Sequence, residues 1–261
     1  MIFIGDLSFA GHKRVKRLIA KRNEQGLHGI VKSLANMGVH YLYLSLMEMT
    51  KEDICWFINI IQDTAELPLC LETPSVGHLE TALTLCRYGR PLINLTSLED
   101  ASAADNISVV RKYGARVIKM LILDNKLPVN ANERLQAARV VLAELQAAGI
   151  EEKDIFLDPV IKPICTNTST GREVFTAIRL IKDEFPQVNL ISNVCSISFG
   201  LPKRELINKV FLVQLMAAGA NAFIVDSMDK DSRSMYYISK MLLGYDPYCR
   251  EYLTLYRRGE F

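Results

Sequence analysis

Four short runs place a polar side chain inside an otherwise apolar segment. Asp158 stands in FLDPVI, Glu72 closes LCLET, Asn94 sits in LINLTS, and LISNVCSISFGLPKR (190–204) carries both Asn193 and Ser196. Burying a lone carboxylate is costly unless donors meet it. A ligand with adjacent N–H groups, such as an amino-pyrimidinone edge, would meet Asp158 in a bidentate way, and Glu72 offers a second acceptor. The Asn94 amide carries a donor and an acceptor together, which suits a heterocycle with a mixed edge. Each residue has a structural alternative. Asp158 could cap the loop after it, Glu72 could face solvent ahead of Pro74, and Asn94 could form a turn.

Other chemistries find little support. No Ser lies in GxSxG, no P-loop occurs, and no GxGxxG follows the first apolar run. The four histidines (His12, His28, His40, His78) pair neither with each other nor with Cys at ligand spacing, which argues against a bound metal. The six cysteines lack CxxC spacing. Cys70, Cys165 and Cys195 sit in or beside apolar runs, where Cys acts as a small hydrophobe. Acids and amides without a nucleophile–base pair orient a ligand; they do not attack one.

The elements that must hold these residues follow from periodicity. Apolar runs at 1–6, 41–46, 67–73, 91–97, 115–123, 154–161, 189–197 and 221–227 read as strands. Between them lie helix-like segments such as EDICWFINIIQDTAE, NERLQAARVVLAELQAAG and ELINKVFLVQLMAAG, several ending in Gly. The runs do not alternate strictly, as expected of strands covered on both faces of a parallel sheet. Eight such units in 261 residues fit one α/β domain, 1–261, folded as a (β/α)8 TIM barrel. In such barrels the site lies at the C-terminal ends of the strands. The polar residues closing each run are therefore candidates: Asp6, Ser45, Glu72, Asn94, Asp124, Asp158, Ser196 and Asp226, the last better read as structural or as a helix cap.

Charge narrows the partners. With 31 basic and 29 acidic residues the net charge is +2, so nothing demands nucleic acid. The most basic run, GHKRVKRLIAKR, reads as a solvated helix face. No apolar run approaches the roughly 20 residues needed to span a bilayer, and MIFIGD is too short for a signal sequence, so a cytoplasmic protein with reduced thiols is expected.

The chain resembles the pterin-binding methyltransferases that move a methyl group between tetrahydrofolate and a corrinoid protein, which share the barrel of dihydropteroate synthase. The likeness is greatest to members serving O-demethylase and methylamine-type corrinoid systems in anaerobes. It is carried nearly end to end by MIFIGD, LPLCLET, PLINLTS, NKLPVNANERL, DIFLDPVIKP, SFGLPKRELINKVFL and the tail LLGYDPYCREYLTLYRRGEF. The resemblance implies a tetrahydropterin substrate (tetrahydrofolate or methyltetrahydrofolate), with Glu72, Asn94 and Asp158 on its pyrimidine edge and Asp6 and Ser45 nearby. It also implies cobalamin carried by a separate corrinoid protein, no metal bound by this chain, a homodimer, and an Asn that stabilises charge developing at N5.

Where that Asn falls is a matter of register. Aligned without gaps on SFGLP, the family Asn lands on Ser196, and Asn193 takes a position where Gly is usual. Both Ser196 and Asn193 are catalytic candidates, Ser196 preferred. Three residues along an extended strand is an odd step, so the two should face opposite sides. Phe9, Tyr43, Ser45 and Ser196 replace polar groups expected around the pyrazine ring and N5, with Phe9, Tyr43 and Ser198 lining the pocket. Two readings therefore stand: an active methyltransferase, or a divergent paralogue that binds a corrinoid protein or another aromatic ligand and no longer turns over folate.

Overall fold

The computed structural model describes residues 1–7, 12–95, 103–225 and 230–260. Eight parallel strands close into a barrel: β1 (Ile2–Asp6), β2 (Tyr41–Ser45), β3 (Leu69–Glu72), β4 (Leu92–Leu95), β5 (Arg116–Met120), β6 (Ile155–Asp158), β7 (Asn189–Asn193) and β8 (Ala222–Val225). Strand β1 pairs with both β2 and β8, so the sheet has no free edge. Around it run α1 (His12–Ala20), α2 (Glu24–Asn36), α3 (Lys51–Thr64), α4 (Val76–Thr84), α5 (Ala103–Lys112), α6 (Ala131–Ala147), α7 (Thr170–Glu184), α8 (Arg204–Ala218), α9 (Lys230–Leu242) and α10 (Arg250–Arg257). His12–Ala20 of the basic run form the helix α1. Among the described residues no helix is long and apolar enough to cross a membrane.

Local chemistry sets the helix boundaries. Thr50 accepts from the Asp53 amide to start α3, and Asn130 accepts from the Glu133 amide at 2.9 Å to start α6. Glu133 in turn accepts from the Val129 amide, one residue before the cap, and from Asn130 Nδ2, both at 2.7 Å, tying the entering chain to the first turn of α6. In α7 the buried residues Val174, Ala177, Ile178 and Ile181 follow the helical repeat and face the sheet. Gly219, at φ +110, ends α8 in a left-handed conformation that suits glycine.

Two cores result. Outward-facing strand residues pack against the helices in one large cluster. Inward-facing residues, among them Ile4, Cys70, Leu92, Ile118, Phe156 and Ile191, plug the barrel axis. At the N-terminal end of the strands Arg90 grips Asp154 through two hydrogen bonds of 2.9 Å, and Arg116 donates to the Tyr41 hydroxyl at 3.2 Å. These polar locks lie opposite the candidate site, at the face that serves stability.

The strands are shorter than the apolar runs suggested, and two site expectations change as a result. β5 ends at Met120, so Asp124 does not close a strand; it lies in the turn beyond, at φ +48. β7 ends at Asn193, and Val194–Ser196 form a single 3-10 turn rather than more strand.

The axial plug makes a direct prediction. Phe156 is fully buried inside the barrel. Phe156→Ala is expected to cost about 3–5 kcal/mol in urea unfolding. A loss under about 1 kcal/mol would mean that the interior can collapse around the gap.

Candidate functional site

Strand side chains alternate, so the residue two beyond each plug residue also points to the axis. Counting from Ile4, Tyr43, Cys70, Leu92, Ile118, Phe156 and Ile191 gives Asp6, Ser45, Glu72, Asn94, Met120, Asp158 and Asn193. These seven, with Tyr43, Val160, Ile161, Ser196 and Ile224, line a cavity of ≈ 400 Å³ at the C-terminal mouth. Pairing fixes who neighbours whom: Ser45 lies opposite Glu72, Glu72 opposite Asn94, and Met120 opposite Asp158.

On the β2–β4 side the polar groups are already joined. Asn94 Nδ2 donates to the Tyr43 hydroxyl at 3.1 Å and leans on Glu72 Oε1 at 3.5 Å. Asn94 Oδ1 is buried and has no partner among the described residues. An unmet buried acceptor costs about 1–3 kcal/mol, so this oxygen favours any ligand that brings an N–H to it. Burial, then the neighbouring Glu72 charge, pushes the Tyr43 phenol well above its usual range, against the hydrogen bond from Asn94. Tyr43 therefore stays a neutral hydroxyl.

Across the cavity, Asp158 Oδ1 accepts from the Val160 amide at 2.8 Å. Burial raises the Asp158 carboxyl to about 6, against that amide and the positive charge of Arg134. Val160 sits at φ +57. A β-branched residue in this left-handed region is strained by roughly 1–3 kcal/mol. Behind the turn lies Arg134 of α6, 1% exposed, donating to the carbonyls of Pro159 at 2.7 Å and Val160 at 3.0 Å.

Asn193 and Ser196 were expected on opposite sides, and the structure corrects this. Asn193 caps the 3-10 turn, its Oδ1 accepting from the Cys195 amide at 3.1 Å. A 3-10 helix has three residues per turn, so positions i and i+3 eclipse. Both Asn193 and Ser196 consequently face the cavity. With Oδ1 committed to the turn, the Asn193 Nδ2 is free of partners among the described residues and held in a defined place.

Ser198 is a second correction. It is fully buried away from the cavity, donating to the Cys195 carbonyl and accepting from Arg204 Nε at 3.1 Å. Arg204 also donates to the Cys195 carbonyl at 2.9 Å, so Ser198 and Arg204 brace the turn that carries Asn193 and Ser196. Phe9 and Asp226 lie outside the described residues. Met120, Ile161, Val160 and Ile224 were missed as lining residues. Continuing the period of two past Ile118 would have found Met120, whereas nothing local announces Val160.

The cavity is thus lined by three carboxylates (Asp6, Glu72, Asp158) and by Asn94, whose buried amide oxygen has no partner among the described residues, with no Lys or Arg among its described lining residues. Among the described residues no three His, Cys, Asp or Glu side chains stand close enough to hold a metal ion together. Separate acceptors around one chamber match a donor-rich heterocycle.

An eight-stranded parallel barrel with such a mouth fits the comparison with known families. Residues 44–226 match the family of pterin binding enzymes, and the chain belongs to it. Over 266 residues it is 24% identical to the methylcorrinoid:tetrahydrofolate methyltransferase of Eubacterium limosum, covering 100% of this chain and 97% of that protein. It is 25% identical over 241 residues to methionine synthase of Mycobacterium tuberculosis, matching 86% of this chain and 20% of that longer protein. In fold it is similar to dihydropteroate synthase of Yersinia pestis, with TM-score 0.70 and 15% identity over 93% of each chain. The Coxiella burnetii dihydropteroate synthase in complex with pteroic acid gives TM-score 0.66 over 92% of each chain.

The buried acid sets a pH dependence. Asp158 holds its proton more tightly in the folded chain, at about 6, than at its ordinary 3.8. Its contribution to stability is therefore full below about pH 4 and lost as pH rises through about 6. Asp158→Asn keeps the acceptor for Val160 and removes the charge. It is expected to be more stable than the parent by about 1–3 kcal/mol at pH 8, with little difference at pH 4. Urea unfolding at the two pH values tests this, and a gap that does not change with pH refutes it.

Proposed function

We propose that this chain is a methyltransferase that holds a tetrahydropterin, tetrahydrofolate or a near relative, in the barrel mouth. It exchanges the N5 methyl group with the corrinoid of a separate protein, as part of anaerobic one-carbon or demethylation metabolism. The observation that carries the reading is the unpaired, buried Oδ1 of Asn94 in a chamber otherwise rich in carboxylate acceptors. An amino-pyrimidinone edge would bring several N–H donors to these acceptors at once. The full-length similarity to a methylcorrinoid:tetrahydrofolate methyltransferase supports the same reading. A homodimer belongs to it as well, from the family resemblance.

In this reading Asp158 and Glu72 accept from the pterin's N–H groups, Asn94 Oδ1 takes a further one, and Asp6 and Ser45 complete the mouth. Cobalamin, supplied by the partner protein, provides the cobalt that gives or takes the methyl group. This chain contributes position and electrostatics. As the methyl departs, its bonding electron pair remains on N5, and a fixed donor there lowers the barrier. Asn193 is better suited than Ser196 to that task. Its Nδ2 is aimed by a turn that its own Oδ1 holds, whereas a hydroxyl is free to rotate.

Calorimetric titration with methyltetrahydrofolate, followed by an assay of methyl transfer to free Co(I) cobalamin, tests the function. Absence of binding at millimolar ligand would sink it. Asn193→Ala is expected to slow transfer by about 10²–10³-fold, with pterin affinity little changed. Ser196→Ala should lose less. The reverse ranking would return the N5 role to Ser196.

A further inference from the structure

Arg134 is among the largest fully buried side chains in the protein. Its three nitrogens all donate to main-chain carbonyls: Nε to Pro159, Nη2 to Val160, and Nη1 to Asn130 at 3.1 Å. Among the described residues no carboxylate lies within salt-bridge reach of it. A buried guanidinium without an ion pair is an expensive way to fill core space, because desolvation disfavours its charge. An aliphatic side chain would pack there at lower cost. Two of the carbonyls it serves, those of Pro159 and Val160, explain its presence, since they belong to the irregular turn that follows β6.

From this geometry we propose that Arg134 is a positioning residue for the cavity. It holds the 158–160 turn in the one conformation that aims the Asp158 carboxylate into the mouth. Three observations link in sequence. Hydrogen bonds from the Glu133 amide to Asn130 and from the Val129 amide to Glu133 fix the first turn of α6, and the Ala131 amide donates to Glu173 of α7 at 3.0 Å, so the guanidinium starts from a fixed base. The planar fork then reaches the Pro159 and Val160 carbonyls together, a geometry an ammonium does not reproduce. Held there, Val160 stays at φ +57 despite its branched side chain, and its amide points at Asp158 Oδ1. Without the fork Val160 relaxes toward ordinary backbone angles, and Asp158 loses its fixed donor.

That Asp158 serves a pterin rests on the function proposed above; the placement of its carboxylate does not. The test therefore begins without ligand. From the elements around it, Asp158 is faced by Arg134 of α6 and, across the cavity, by Asp6 of β1, Tyr43 of β2 and Glu72 of β3. In carbon-detected NMR titrations, folded Arg134→Met should move the Asp158 midpoint upward, because the amide donor and the positive charge are both lost. Adding Val160→Gly, which adopts positive φ freely, should recover part of that shift. Arg134→Lys keeps the charge and loses the fork, so the Val160 amide should exchange with solvent at least tenfold faster than in the parent. If Arg134→Met does not fold, this exchange measurement decides alone. An unmoved midpoint in folded Arg134→Met, no recovery on adding glycine, or unaltered Val160 exchange in Arg134→Lys would each overturn the proposal. With methyltetrahydrofolate, Arg134→Met should weaken binding by tenfold or more, with partial rescue by Val160→Gly. If the parent binds no pterin while the Asp158 midpoint and Val160 exchange behave as stated, the positioning role stands and the functional reading fails.

Discussion

The geometry at the mouth depends on the hydrogen-bonded closure of β1 onto β8. Once eight parallel strands form a ring, every second side chain points to the axis, and the pairing register decides which of them share a level. Ser45 beside Glu72, Glu72 beside Asn94, and Met120 beside Asp158 are consequences of register. A slip of one residue would send each of these groups outward into the helix layer. Below them the plug of Ile4, Cys70, Leu92, Ile118, Phe156 and Ile191 keeps water out of the axis. The polar ring thus sits on an apolar floor, and every charge in it feels a lower dielectric than at an open surface.

Binding capacity is therefore obtained at the expense of stability. Asp158 carries a raised pKa, Asn94 an unmet acceptor, and Val160 a strained backbone, all within one chamber. The opposite end of the barrel is built differently. There the Asp154 carboxylate is gripped by the Arg90 fork, and the Asn221 side chain accepts from the Leu190 amide while donating to Asn189. The paired side chains at that end contrast with the unmet Asn94 acceptor and strained Val160 at the mouth.

Periodicity made most of the ring legible in advance. Asp6, Ser45, Glu72, Asn94 and Asp158 each interrupt or close an apolar run, and a barrel sends such positions to its mouth. The end of β7 was harder to read. NLISNVCSI continues its apolar residues past the true strand end, because Val194, Cys195 and Ile197 are buried in a turn instead of a strand. The stop comes from one side-chain hydrogen bond, Asn193 to the Cys195 amide, and its eclipsing effect brings Ser196 back to the cavity. Arg134 was illegible for another reason. In NERLQAAR an arginine in the first turns of a helix, four residues past the Asn130 cap, looks like solvent-facing charge, and only the fold shows irregular carbonyls waiting behind it.

The departures from the family pattern take on a different meaning in this geometry. Tyr43 could have closed the chamber; ≈ 400 Å³ remains, within the range of small-molecule sites. The Tyr43 ring stands in the axial plug, while its hydroxyl rises to the polar ring and meets Asn94. That contact takes one of the amide protons of Asn94 and leaves Oδ1 buried without a partner among the described residues. Asn94 thereby becomes an acceptor where its amide could have shown either face. A larger aromatic residue on β2 has not blocked the pocket; it has fixed the polarity of its neighbour, two strands away. The changed positions are thus compatible with a site that still selects a donor-rich heterocycle and has relocated some of its polar groups.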